Sequence, residues 1–283
     1  MWWVVLWAVV MAVGAIGTIA SVNNLRFSRR VAREAREMTA SAAEAAPPIA
    51  KSRLSSLPPP VQRYLAKALD GRRDPIRRVR LRHGGSFRPS LTGSWRPIRG
   101  EQYFNASPPG FIWWGRIRMA PGLWIEARDR SVEGAGNMLV TFESTITMAN
   151  SSGPQLDRGA LLRLLGEMAW FPTAFLDDRY VRWSAVGERR ATATLEVNGR
   201  TVSSEFAFGP DDLPTMFSAE RYRDVGGGKS ELTPFVGRLS DFRRVDGVLV
   251  PYRVIAAWVL DGKPIDYANF EVQQLEFDWR EPY

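Results

Sequence analysis

The chain has 283 residues, 45% of them apolar and 24% charged, with a formal net charge of +8. That composition supports a sizeable core and excludes wholesale disorder. With no cysteine and one histidine, disulfides, thiolate metal sites, a cysteine nucleophile and any multi-histidine metal centre are excluded, and no cofactor or metal is expected.

The basic excess is nearly all arginine, with lysine only at Lys51, Lys67, Lys229 and Lys263. An anionic partner is one reading of that excess, and an arginine-favouring genome is the other.

Residues 1–25 carry no charged side chain, and Trp2 to Val22 is almost wholly apolar. At about 1.5 Å per residue this run matches the hydrocarbon thickness of a bilayer, with Trp2, Trp3 and Trp7 at one end as an aromatic belt. No basic residue precedes it, which favours an uncleaved single-pass transmembrane anchor over a signal peptide. Arg26, Arg29, Arg30, Arg33 and Arg36 follow, and the positive-inside rule places the rest of the chain in the cytoplasm. Residues 26–56 read as a juxtamembrane basic helix and a proline-rich linker. Pro47, Pro48 and Pro58 to Pro60 are its breaks, and the segment is expected to act as a stiff spacer.

From residue 57 the pattern is that of one β-rich domain extending to residue 283. Val61, Tyr64, Leu65 and Ala68 form a helical stripe, started by the prolines and stopped by Asp70-Gly71. Val79, Leu81 and His83 then alternate with Arg80 and Arg82. A strand over residues 111–119 sets Phe111, Trp113, Ile117 and Met119 on one face and Ile112, Trp114, Arg116 and Arg118 on the other. Residues 136–148, 181–187, 191–197, 201–208, 215–223, 234–244, 248–260 and 264–278 also read as strands. Turn signals such as Asn198-Gly199, Gly226 to Gly228, Asp246-Gly247 and Asp261-Gly262 separate them. One helix interrupts, with Leu161, Leu164, Leu165 and Met168 on a stripe and Asp157 as its expected N-cap. The fold class expected is α+β: a large curved antiparallel sheet, half-barrel-like, with a few short helices.

The stretch EQYFNASPPGFIWWGRIRMAPGL, Glu101 to Leu123, puts aromatic and cationic groups together, as an amphipathic anion would require. The expected ligand-binding set is Tyr103, Trp113, Trp114, Arg116, Arg118, Trp124, Trp170, Phe171, Arg221 and Arg223. The partners expected are membrane lipid, an amphipathic anionic ligand and a membrane protein. Core aromatics and solvated arginines are the plain alternative. Gly226 to Ser230 resembles a phosphate loop only superficially, because Arg223 stands where a glycine is needed and strands flank it. The arginines between Arg72 and Arg82 sit in no nucleic-acid-binding motif, so no nucleic acid is expected. Glu101, Glu126, Asp129 and Glu167 lie among arginines. Ordinary ion pairs would explain them, and a carboxylate lacking such a partner would point to an enzyme.

PPGFIWWGRIRMAPGL, with LPPPVQRYL at 57–65, EMAWFPTAFL at 167–176 and RYRDVGG at 221–227, resembles an uncharacterised bacterial family of membrane-anchored proteins. The resemblance implies no catalytic residue. The layout is more weakly similar to the lipoprotein-carrier (LolA-like) half-barrel, which implies an apolar cavity and an extracytoplasmic domain. On this reading the protein is a non-enzymatic, membrane-anchored module for a lipid or other amphipathic ligand. The alternatives are a scaffolding protein with a filled core, or a carboxylate-dependent enzyme acting on a lipid-like or sugar-like substrate.

Overall fold

The alternating patterns assemble into one antiparallel sheet of 13 strands. The computed structural model describes residues 2–40, 51–72 and 74–283, without the side chains at 9, 12, 13, 16 and 51. Strands β1 (Arg78–Phe87), β2 (Arg96–Ala106), β3 (Pro109–Ala120), β4 (Leu123–Val132), β5 (Ala135–Phe142) and β6 (Ile146–Ser152) form one run of hairpins. A second run comprises β7 (Val181–Gly187), β8 (Arg190–Val197), β9 (Arg200–Phe208), β10 (Pro214–Gly226), β11 (Lys229–Val245), β12 (Val248–Leu260) and β13 (Lys263–Phe277). The two runs join where β1 pairs with β13, leaving β6 and β7 as the free edges.

The chain crosses between those edges through helix α4 (Pro154–Glu167) and two short 3-10 turns, Met168–Trp170 and Pro172–Leu176. Helix α4 touches β4, β5 and β6 from one run and β8, β9 and β10 from the other. Strands so far apart in the sheet can meet one helix only if the sheet curls around it. The main core lies in that concavity, where Leu161, Leu164, Leu165, Trp170, Phe171 and Phe175 pack against Phe104, Phe206 and Phe217. Helix α2 (Lys51–Ser55) and helix α3 (Pro59–Leu69) close one end, with Tyr64 against Phe175 and Phe208. Asp70 caps α3 in the left-handed conformation, as the Asp70-Gly71 signal predicts.

Several expectations need correction. The strand expected over 136–148 is two strands, because Glu143 and Ser144 take positive φ and turn the chain. Strands β2 and β4 were not legible, since both interleave arginine and polar residues with apolar ones, and Gln102 and Asn105 of β2 and Glu126, Arg128 and Asp129 of β4 are nevertheless buried. Asp157 is not the N-cap of α4. Gly153 holds that position with Pro154 after it, and the Asp157 carboxylate accepts a bond from the Gly136 amide at 2.7 Å and pairs with Arg200.

The N-terminal helix gives the largest difference. Helix α1 runs unbroken from Trp2 to Ala40. Phe27, Val31, Ala35 and Met38, spaced one helical turn apart, are buried on the convex face of the sheet with Tyr103, Ile112, Leu139 and Trp279. Residues 26–40 are therefore a docked strut and not a stand-off spacer. The breaks expected at Pro47 and Pro48, and Arg73 of the basic run, lie outside the described residues. At the other end of α1, Trp2, Trp3, Val4, Val5, Leu6 and Trp7 are exposed. Among the described residues no helix is long and apolar enough to cross a membrane. The span expected over residues 1–25 thus stands on the sequence alone.

Candidate functional site

Strand parity decides which side chains can meet. On β3, Phe111, Trp113 and Ile117 belong to the concave core, while Ile112 packs under α1 on the convex face. Cross-strand register places Trp114 beside Arg128, Arg116 beside Glu126 and Arg118 beside Trp124, all on the convex side. The expected ligand-binding set therefore divides and lines no single cavity. Tyr103, Trp114, Arg116, Arg118 and Trp124 lie on the convex side, and Trp113, Arg221 and Arg223 on the concave side. Trp170 and Phe171 are core. Trp170 donates to the Pro251 carbonyl at 2.8 Å, and the crevice around it leaves no room for a water molecule.

The concave face carries a strip of rings beside α4, where a Cβ on Gly159 would lie 3.9 Å from the Arg221 guanidinium. Phe87 on β1 meets Tyr267 on β13 edge-on at 6.0 Å. Tyr267 stacks with Trp258 on β12 at 6.0 Å, and Trp258 meets Phe235 on β11 at 5.5 Å. Phe87, Trp258, Tyr267 and Phe270 are only half-buried. The Arg221 guanidinium lies over Phe235 at 4.5 Å and Trp258 at 5.8 Å. Among the described residues Arg221 has no ion-pair partner, and its Nε is buried without a hydrogen bond. Its strand neighbour Arg223 is held by Glu231 at 3.5 Å.

A polar cluster separates this strip from the deep core. Arg163 on α4 bonds Asp129 at 2.9 Å and Glu167 at 2.8 Å, and it lies over the rings of Phe111 and Trp113. Gln102 donates to Glu167 at 2.6 Å. Burial raises both the Asp129 and Glu167 carboxyls, and Arg163 opposes that rise in each. Burial alone would lower Arg163, but the two carboxylates reverse its direction to upward. His83 accepts from Trp113 Nε1 at 2.8 Å through Nε2, which leaves Nδ1 to face the Gly84 carbonyl. Burial pushes His83 down to about 4, so it is neutral and structural. Gly100 and Gly115 make this arrangement possible. A Cβ on the first would lie 2.4 Å from the His83 ring, and one on the second 2.3 Å from the Trp113 ring.

The convex face is an ion-pair seam under α1. Glu34 reaches Arg128 at 3.3 Å, where Arg128 is 1% exposed. Arg116 bonds Glu126 at 2.5 Å, donates to Asn24 of α1 and lies over Trp124 at 4.6 Å. Ser144 also donates to Glu126. Tyr103 donates to Glu101 at 2.9 Å beneath the C-terminal tail, and Arg82 pairs with the same carboxylate. At the end of this seam an open groove of about 420 Å³ is lined by Ile98, Arg99, Arg116, Arg118, Leu123 and Trp124. Glu101, Glu126, Asp129 and Glu167 all have arginine partners, so the lone carboxylate that would point to an enzyme is missing from this group. Among the described residues no cluster of potential ligands could hold a metal ion.

Sequence reasoning missed Arg163, Phe235, Trp258 and Tyr267. The signal for Arg163 is a single arginine inside the apolar run LLRLLGE with a glutamate four residues on. No comparable local signal marks the rings, which come together only through the register of β11, β12 and β13.

Fold and faces together define a class: a single curled antiparallel sheet, filled by helices on its concave face, with a strip of half-buried rings along part of that face, and clasped outside by a long N-terminal helix. The chain belongs to the family of unknown function DUF6544, whose profile matches residues 47–270. This is the uncharacterised family that the motifs resemble. No curated protein matches the chain. Among solved structures it is similar to a LolA superfamily protein from Nitrosomonas europaea, with a TM-score of 0.40 and 10% identity over 77% of this chain and 91% of that one. It is also similar to a domain described as outer membrane lipoprotein-sorting from Vibrio parahaemolyticus, with a TM-score of 0.36 and 10% identity over 71% and 86% of the two chains. A third is a beta-barrel-like protein of a domain of unknown function, DUF1849, from Brucella abortus, with a TM-score of 0.24 and 8% identity over 72% and 98%. Likeness at this level carries no inference about function.

Proposed function

We propose that this protein is a membrane-held, non-enzymatic module that binds an acyl lipid with an anionic headgroup on the ring-lined part of its concave face. The observation that carries the reading is Arg221, a cation lying on Phe235 and Trp258 that makes no ion pair among the described residues, although Asp129 lies near enough to feel its charge. A guanidinium so placed supplies a charge for an anion, and the adjoining half-buried rings supply apolar surface for a chain. The filled core behind Trp170 confines binding to the open end. The exposed apolar end of α1 holds the protein at the bilayer, and with Arg26, Arg29 and Arg30 following the apolar run, the flanking-charge rule puts the domain in the cytoplasm.

The test uses the full chain reconstituted in vesicles containing a phosphatidylglycerol with a photoreactive acyl chain. Cross-links are expected on the β11–β13 segments carrying Phe235, Trp258 and Tyr267, with a several-fold loss in the double variant Arg221→Ala/Trp258→Ala. Cross-links confined to α1, unchanged in that variant, would overturn the reading.

A further inference from the structure

The register between α1 and β3 fixes where the open end of the sheet points. Arg116 bonds Asn24, while a Cβ on Gly110 would lie 3.4 Å from Met38. From Asn24 to Met38 the helix rises about 21 Å, and from Arg116 back to Gly110 the strand advances about 20 Å. Helix and strand therefore run side by side in opposite directions. Beyond Arg116, β3 continues to Ala120 for about 13 Å more, alongside the apolar part of α1. The neighbouring β5–β6 turn meets the helix at the same level, where Asn23 donates to Thr145 at 3.1 Å.

This end of the sheet is unlike the rest of the surface. Leu123, at the β3–β4 turn, is 45% exposed, and Ile146 and Met148, after the β5–β6 turn, are 60% and 57% exposed. On the β2 side of Leu123 lies the groove of about 420 Å³, in which Arg99 and Arg118 are both exposed and have no hydrogen bond or ion pair among the described residues. Arg99 stands directly across from Arg116, whose charge Glu126 already offsets, so Arg99 and Arg118 are the two guanidinium groups of the groove left to meet an anion. The ring-lined mouth is at the same end. Phe87 pairs with Arg96, and Arg96 bonds the Met119 carbonyl one residue before the end of β3.

We propose that the rim formed by the β3–β4 turn, the β5–β6 turn and the Arg99–Arg118 groove is a docking surface for an anionic phospholipid bilayer. Leu123, Ile146 and Met148 enter the interface, Arg99 and Arg118 hold lipid phosphate, and the contact turns the open concave face toward the membrane. The apolar end of α1, emerging beside the rim, argues for a bilayer over any other occupant. A lipid chain then passes from bilayer to ring strip without crossing water. That last consequence rests on the proposed function, but the docking surface does not.

The chain has no cysteine, so single cysteines introduced into the full protein can be labelled cleanly. Leu123→Cys and Ile146→Cys probe the rim. Asp74→Cys, exposed just before β1 and at the opposite end of that strand from Phe87, is the control. Each carries an environment-sensitive fluorophore in vesicles of phosphatidylcholine with a minor share of phosphatidylglycerol. Rim labels are expected to be quenched several-fold more by a lipid-borne shallow quencher than the control, and to be shielded from aqueous iodide. Adding Arg99→Glu/Arg118→Glu is expected to reverse that pattern at least in part. Rim labels as open to iodide as the control would overturn the docking surface, and an unchanged pattern in the arginine variant would overturn the headgroup site. Trp258→Ala leaves these depths unaltered even where it abolishes lipid cross-linking. Failure of the docking surface is thus distinguishable from failure of the lipid-binding reading.

Discussion

Replacing Glu34 by glutamine tests whether α1 is locked to the sheet by charge. Arg128 is 1% exposed and its Nε lies 3.3 Å from the Glu34 carboxylate. That contact is an ion pair without a hydrogen bond, and the guanidinium donates from Nη1 to the Asn137 carbonyl at 3.2 Å. Burial pushes Arg128 down to about 10, and Glu34 is the leading charge that opposes this. Removing one member of a buried pair typically costs about 3–5 kcal/mol, because the remaining charge stays desolvated. Each large side chain that α1 buries here, such as Phe27 or Met38, contributes about 1.5–3 kcal/mol. Loss of the pair therefore outweighs one such contact and shifts the undocking equilibrium by roughly two to four orders of magnitude. Amide hydrogen exchange of the full chain in micelles reads this directly. Exchange over residues 26–40 should accelerate, while β3 remains protected. Adding Arg128→Met to the glutamine variant should restore much of the protection, since an apolar isostere carries no desolvation cost. A change below about 1 kcal/mol, as for an exposed surface pair, would refute the argument.

Acid should unfold the protein partly through His83. In the unfolded chain this ring takes a proton near its ordinary 6.5, whereas in the fold it does so only near 4. The stability conferred by the neutral ring is complete above the upper value and lost as pH falls toward the lower, by up to about 3 kcal/mol. Asp129 and Glu167, whose carboxyls are raised, titrate with the opposite sign, so the check is the difference between wild type and His83→Gln in urea titrations across that range. An identical pH slope in both would contradict the assignment. Arg163→Met should destabilise by about 3–5 kcal/mol by leaving the Asp129 and Glu167 carboxylates unpaired, and the deficit should shrink at acid pH as they protonate. A deficit independent of pH in thermal melts would argue against that cause. Gly166→Ala should lower the melting temperature despite the roughly 1 kcal/mol gain in helix propensity, because its Cβ would lie 2.2 Å from the Phe217 ring. A raised melting temperature would show that Phe217 moves freely aside.

By itself the sequence determined the elements whose pattern is local. The alternation in β7 to β13, the prolines before α3, the Asp70-Gly71 stop and the Gly226 to Gly228 turn all state the chain's local preference, and nothing in the fold opposes it. It also showed that residues 111–119 present two chemically different faces. The tertiary structure decided which face is which. Helix α4 drew Trp113 inward to Arg163 and His83, while α1 covered Trp114, Arg116 and Arg128 on the outside. Strand β4 escaped notice because burial of its Arg128 depends on a carboxylate arriving from a distant segment. Glu34 supplies it for Arg128, and Glu126 holds Arg116 at the point where Asn24 completes its bonds. The strip of Phe235, Trp258 and Tyr267 is likewise a product of strand register, since pairing over long sequence separations brings together rings that no window of the sequence contains.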